Sequence, residues 1–296
     1  MKTTLQDLLA SGQTIVADGG MGTLLFARGL ARGSAPELWN VERPDDIRAV
    51  HRDYIAAGAQ IVLTNSFGGS RFRLELHGLA ERAAELNQAA ARLARAEADA
   101  APRPVVVGGS MGPTGQLLSP YGTLEFDEAV NAFCEQAEAL IAGGVDVLWI
   151  ETMSDLEEVR AAVEGCRCAA PGFPIVTTLT FDTNGRTMMG VTPEKALETL
   201  SEFGVLALGG NCGNGPDEIE GVIAKMHAAD PNVALVAKAN AGLPHMEGDR
   251  AVYDATPEVM AAYARRVRER GARIIGACCG STPDHIRAIA AAAAEA

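Results

Sequence analysis

The sequence predicts a single (β/α)8 barrel spanning residues 1–296, and three observations carry that prediction. Eight short apolar runs recur along the chain, and each is followed by a longer stretch with helical spacing of its apolar residues. The apolar runs scarcely alternate with polar residues, as expected of parallel strands covered on both faces. No linker, charge block or low-complexity tract divides the 296 residues. An eightfold strand–helix pattern closes most naturally as a barrel; an open doubly wound sheet is the other architecture it permits.

The expected strands lie at 14–17, 60–63, 104–108, 145–150, 174–179, 205–208, 233–237 and 273–276. Helical spacing occupies 44–57, 79–100, 127–142, 155–168, 193–203, 217–228, 257–270 and 283–293. Three helices open on Thr192-Pro193-Glu194, Thr256-Pro257-Glu258 and Thr282-Pro283-Asp284. Each sequence supplies a capping hydroxyl, a proline whose missing N–H costs nothing in the first turn, and an acid facing the positive helix end. Gly58, Gly143-Gly144 and Gly271 close others, glycine being the residue that enters the left-handed region without strain.

Composition excludes several function classes. A net charge of -13 opposes nucleic acid and anionic membranes as partners, because both require a basic face. No apolar run reaches the roughly 18 residues of a membrane span, and the amino terminus lacks a signal-peptide pattern. Six cysteines in a chain this long are no disulfide framework, so a cytoplasmic setting that keeps thiols reduced is expected.

Barrel enzymes place their chemistry at the carboxyl ends of the strands. There the sequence gathers Asp18-Gly19-Gly20-Met21-Gly22, Thr64-Asn65-Ser66-Phe67, Glu151-Thr152, Asn211-Cys212-Gly213, Asn240-Ala241-Gly242 and Cys278-Cys279-Gly280. Adjacent Cys278 and Cys279 seldom bond to each other, but both can reach one soft ion. With Cys212, two strands earlier, they form three thiolates that suit Zn2+ and leave its fourth position open. For any one of the three, burial as a small apolar side chain is the alternative. A three-thiolate zinc favours a substrate that is itself a thiol, which loses its proton on binding yet stays nucleophilic. Asp18 and Glu151 can hold an ammonium group, and the N–H groups of Gly20 and Met21 a carboxylate. Together these describe an amino-acid thiol such as homocysteine. Against that, Asp18 can simply cap a turn and Glu151 can pair with an arginine. Cys134, Cys166, Cys168, Met111 and Met188-Met189 read as packing residues, and none of the five histidines is assigned a role.

These segments, together with Gly112-Pro113-Thr114-Gly115 and Gly276-Ala277, resemble the zinc-dependent homocysteine S-methyltransferases from Asp18 to Ile286. The resemblance implies a (β/α)8 barrel with Cys212, Cys278 and Cys279 as zinc ligands. It assigns Asp18 and Glu151 to the homocysteine amino group, and Gly20 and Met21 to its carboxylate. The ligand cysteines and Glu151 are then the catalytic groups, with Thr152 beside the substrate. Asn240 matches a residue that can take zinc's fourth position before substrate arrives.

Ala35 to Val41, Asp146 to Thr152 and Phe181 to Val191 are most similar to bacterial betaine–homocysteine methyltransferases, implying an onium donor such as glycine betaine. Trp39 is the candidate for its quaternary ammonium, followed by Phe67 and, more weakly, Phe181. Thr152 and Gly68 replace two tyrosines of the animal betaine enzymes and resemble the homocysteine module of methionine synthase instead. S-methylmethionine, or a separate corrinoid or methylfolate carrier, is accordingly the alternative donor, and a non-catalytic zinc-binding barrel the remaining reading. The expected partners are thus small molecules, with a homo-oligomer compatible with the sequence but not specified by it.

Overall fold

The computed structural model describes residues 3–248 and 250–295. Eight parallel strands form one sheet: β1 (Ile15–Val16), β2 (Ile61–Leu63), β3 (Val106–Met111), β4 (Val147–Met153), β5 (Ile175–Leu179), β6 (Ala207–Cys212), β7 (Leu235–Ala239) and β8 (Ala272–Ala277). They pair in the order β1-β8-β7-β6-β5-β4-β3-β2. A parallel bridge between Ala17 and Ile61 joins the two ends. Beside it, Gln60 N–H donates to Val16 O at 2.7 Å and Asp18 N–H to Ile61 O at 3.0 Å. The sheet is therefore a closed ring with no long edge, the predicted (β/α)8 barrel.

Side chains separate into two apolar layers by the twofold period of the strands. Ile15, Ala17, Ile61, Leu63, Val106, Val147, Trp149, Val176, Ala207, Val236 and Ile274 fill the interior. Their neighbours, among them Val107, Leu148, Ile150, Leu208, Ala237 and Ile275, face the helices. The helix Leu5–Ala10, capped reciprocally by Thr4 and Asp7, packs Leu5, Leu8 and Leu9 against the interior cluster. This floor helix lacks the length that makes helical periodicity legible, and the sequence reading omits it.

The eight expected helices are present. Pro44–Ala57 and Pro283–Ala293 keep their predicted bounds. Thr192 and Thr256 accept from the backbone N–H groups of Lys195 and Val259, and Thr282 forms a capping box with His285. Gly58 and Gly144 cap their helices in the left-handed region, and Gly271 also adopts a positive φ. The strands differ more, since β3, β4 and β6 run three or four residues beyond the expected ends, to Met111, Met153 and Cys212. In β3 and β6 the glycine pairs read as breakers, whereas the barrel uses them for close approach. A Cβ on Gly209 would lie 2.0 Å from Val236 O, and one on Gly108 would lie 2.6 Å from Leu63. Between β7 and the helix Pro257–Glu269 lies an unpredicted antiparallel hairpin, His245–Glu247 with Arg250–Val252. Met111 is buried as expected, but Met188 and Met189 are exposed on a loop rather than packed. No helix among the described residues is long and apolar enough to cross a membrane.

Candidate metal centre and substrate pocket

β7 lies between β6 and β8, with Cys212 in register with Ala239 and Ala239 with Ala277. This register places Cys212 beside the turn that begins at Cys278. The Cys212 and Cys278 sulfurs are 2.9 Å apart although 66 residues separate them in sequence. All three sulfurs, Cys279 included, lie within 4.8 Å of one another. They are the one group of three or more His, Cys, Asp or Glu side chains so gathered among the described residues.

The electrostatics fit a cation. Hydrogen bonds from Cys212 and then Cys278 pull the Cys279 thiol well below the ordinary thiol range. Sharing its proton with Cys278 and Cys279 pushes Cys212 well above that range. Three sulfurs gathered within 4.8 Å can shed all their protons only if positive charge sits among them, which matches the donor set of a soft metal.

Backbone conformation and amide side chains aim these sulfurs. Cys212 and Thr152 have φ of 59° and 62°, left-handed values that non-glycine residues seldom adopt. Asn211 spans them: its Oδ1 accepts from Thr152 N–H at 2.9 Å, and its Nδ2 donates to Thr152 Oγ1 at 2.6 Å and reaches Cys212 Sγ at 3.4 Å. Asn240 ties the two cysteine turns together, Nδ2 donating to Gly213 O at 2.7 Å and Oδ1 accepting from Cys279 N–H at 3.0 Å. Its amide is thus committed at both ends. The ring of Tyr253, beyond the hairpin, covers Gly280, where a Cβ would lie 2.2 Å from Tyr253 Cγ.

Glu151 points into the barrel from β4, buried, and accepts from Ser110 Oγ at 2.5 Å. No arginine pairs with it among the described residues, and burial pushes its carboxyl up to about 7. Asp18, 2% exposed, receives Lys238 Nζ at 2.8 Å on one oxygen and Leu63 N–H at 2.7 Å on the other. Burial raises Asp18, and the adjacent Lys238 charge opposes it. Burial pulls Lys238 down, but Asp18 and Glu151 outweigh it and hold the amine above its usual value. Lys238 also lies 5.8 Å from the Trp149 ring centre, within cation–π range. The sequence reading missed Lys238. Its signal was the twofold period of β7, which sends Val236 and Lys238 to the same interior face.

The remaining predicted positions divide. Gly20 N–H is taken by Ser281 Oγ at 2.9 Å, and Met21 begins the helix Met21–Ala27. Trp39 is buried with the Arg43 guanidinium 4.1 Å from its ring centre, so Arg43 already occupies one indole face. Phe181 is wholly buried against the helices, whereas Phe67 is 39% exposed.

Fold and rim together define a barrel enzyme that gathers cysteine thiols at the carboxyl ends of its strands. The sequence model of the homocysteine S-methyltransferase family matches residues 15–293, and the chain belongs to that family of methyltransferases. It is similar to the homocysteine methyltransferase MmuM from Escherichia coli, whose oxidized form superposes with a TM-score of 0.82 at 28% identity, covering 98% of this chain and 99% of that one. The metallated form of the same enzyme gives 0.81 at 27% identity, covering 97% and 99%. Methionine synthase from Mycobacterium tuberculosis is 36% identical over 99% of this chain, which spans only 26% of that protein's length.

Proposed function

We propose that the protein transfers a methyl group to the sulfur of homocysteine at a zinc centre held by Cys212, Cys278 and Cys279. The observation that carries this reading is the convergence of those three sulfurs in a chain that matches the family from 15 to 293. Zinc held there supplies the Lewis acidity that keeps a substrate thiol deprotonated at neutral pH. The chain's own residues bind and orient. The Oε1 atom of Glu151 is occupied by Ser110, and its other carboxylate oxygen accepts from no group among the described residues, which suits it to the substrate ammonium. Both Asp18 oxygens are engaged, so its part is to fix Lys238 beneath the pocket. With Gly20 N–H spent on Ser281, the Met21 N–H is the one left for the substrate carboxylate. Held this way, the sulfur attacks the methyl carbon in line as the bond to the donor breaks, and an onium leaving group needs no proton.

The donor we propose is a small onium compound, because its leaving group departs neutral or less charged and asks no proton of the pocket. Glycine betaine has less support within that class, since Arg43 covers Trp39 and only Phe67 offers an exposed aromatic ring among the three candidates. A second reading is delivery by a separate corrinoid or methylfolate carrier. It is favoured by the 36% identity to a methionine synthase of which this chain spans a quarter, and by the exposed Leu117, Tyr121, Met188, Leu243 and Met246 on loops that follow β3, β5 and β7.

Purified, zinc-loaded protein assayed for methionine with homocysteine and one donor at a time tests both readings. Turnover with S-methylmethionine, dimethylsulfoniopropionate or glycine betaine alone supports the first. Turnover only with a methylated corrinoid protein or methylfolate supports the second, and no methionine from any donor overturns the assignment.

A further inference from the structure

We infer that Cys134 and Cys168 are a second, redox-active dithiol, separate from the metal centre, which an oxidant of the peroxide class converts reversibly into a disulfide. Cys134 sits in the middle of the helix Phe126–Gly143 that follows β3, and Cys168 is next to last in the helix Leu156–Ala169 that follows β4. Helices in this fold run from the mouth back toward the floor, so the end of the second helix is remote from the strand ends that carry Cys212 and Cys278. The two sulfurs are 2.6 Å apart across the helix–helix contact. Unbonded heavy atoms rest about 3.5–4 Å apart, so simple packing does not account for this approach. A disulfide needs the same two sulfurs only slightly closer, at about 2.05 Å.

Access separates the three cysteines of this region. Cys168 is exposed, Cys134 is 8% exposed, and Cys166 is fully buried with its sulfur 3.8 Å from Met111 Sδ. An oxidant therefore meets Cys168 first. The Cys168 sulfur attacks one peroxide oxygen, the O–O bond breaks, and water leaves behind a sulfenic acid. The Cys134 sulfur then attacks Cys168, the S–O bond breaks, and a second water leaves with the Cys134 proton. Two thiols are oxidised by two electrons and one peroxide is reduced to two waters. The bond would close a loop between residues 34 apart and fasten the helices behind β3 and β4, stabilising the fold without touching the rim.

The test is brief treatment of zinc-loaded protein with one equivalent of hydrogen peroxide. We expect a linked peptide containing Cys134 and Cys168, unaltered zinc content, and a Tm raised on the order of 5 °C that dithiothreitol reverses. Cys168→Ser should abolish the link and the Tm rise, and Cys134→Ser should leave a Cys168 sulfenic acid that dimedone traps. A Cys134–Cys166 link, a link between two copies, or unlinked thiols beside oxidised zinc ligands would each overturn the inference. These readouts stand whether or not any methyl donor is found.

Discussion

The Asn211 side chain grips Thr152 at both of its polar atoms, accepting from the backbone N–H at 2.9 Å and donating to Oγ1 at 2.6 Å. Thr152 is β-branched and held at a φ of 62°, a conformation that persists only where its surroundings impose it. The same amide nitrogen reaches Cys212 Sγ, so one residue aligns the ends of β4 and β6. Asn211→Ala should lower zinc affinity by about 10–100-fold, as loss of groups that orient metal ligands generally does. Competition with a chelator of known affinity measures it; wild-type affinity would remove Asn211 from the metal centre's support.

Cys278→Ala should abolish both zinc retention and methionine formation, since two remaining thiols cannot complete the centre. Metal analysis of the purified variant, alongside the homocysteine assay, checks both. Full activity in metal-free variant protein would refute a zinc role outright.

Lys238→Met should destabilise the protein by about 3–5 kcal/mol, the usual result of leaving one charge of a buried pair uncompensated. Adding Asp18→Asn, which removes the stranded charge, should recover part of that loss. Chemical denaturation of the two single variants and the double variant gives the coupling directly. Additive losses would mean that the 2.8 Å contact is not a working ion pair.

His51 supplies a pH dependence. It is fully buried in the helix Pro44–Ala57, neither ring nitrogen has a hydrogen-bond partner among the described residues, and burial lowers its pKa to about 4. The unfolded chain takes up that proton near pH 6.5 and the folded one does not until about pH 4, so stability is intact above 6.5 and declines as pH falls through this window. The decline should be roughly 2–3 kcal/mol by pH 4.5. His51→Leu should flatten it, as denaturation midpoints at pH 7.5 and 4.5 will show.

Much of this site was legible because its parts follow local rules. Cys212, Cys278 and Cys279 stand in glycine-bounded turns after apolar runs, and an eightfold repeat places such turns on one rim. Thr192, Thr256 and Thr282 announce helices by cap chemistry that depends on neighbours three residues away. What escaped depends on partners distant in sequence. Lys238 acquires its meaning from Asp18, 220 residues earlier, and Ser110 from Glu151 across a neighbouring strand. Arg43, one helical turn on, lies over one face of Trp39, a pairing that the aromatic residue alone does not announce. Asp18 did more than cap a turn, but both its oxygens went to the protein's own groups.

Leu5, Leu8 and Leu9 stopper the amino end of the barrel. On the methyl-transfer reading proposed above, acceptor and donor would both come by the opposite pole, and whatever nestles against Glu151 would be the first to arrive and the last to leave.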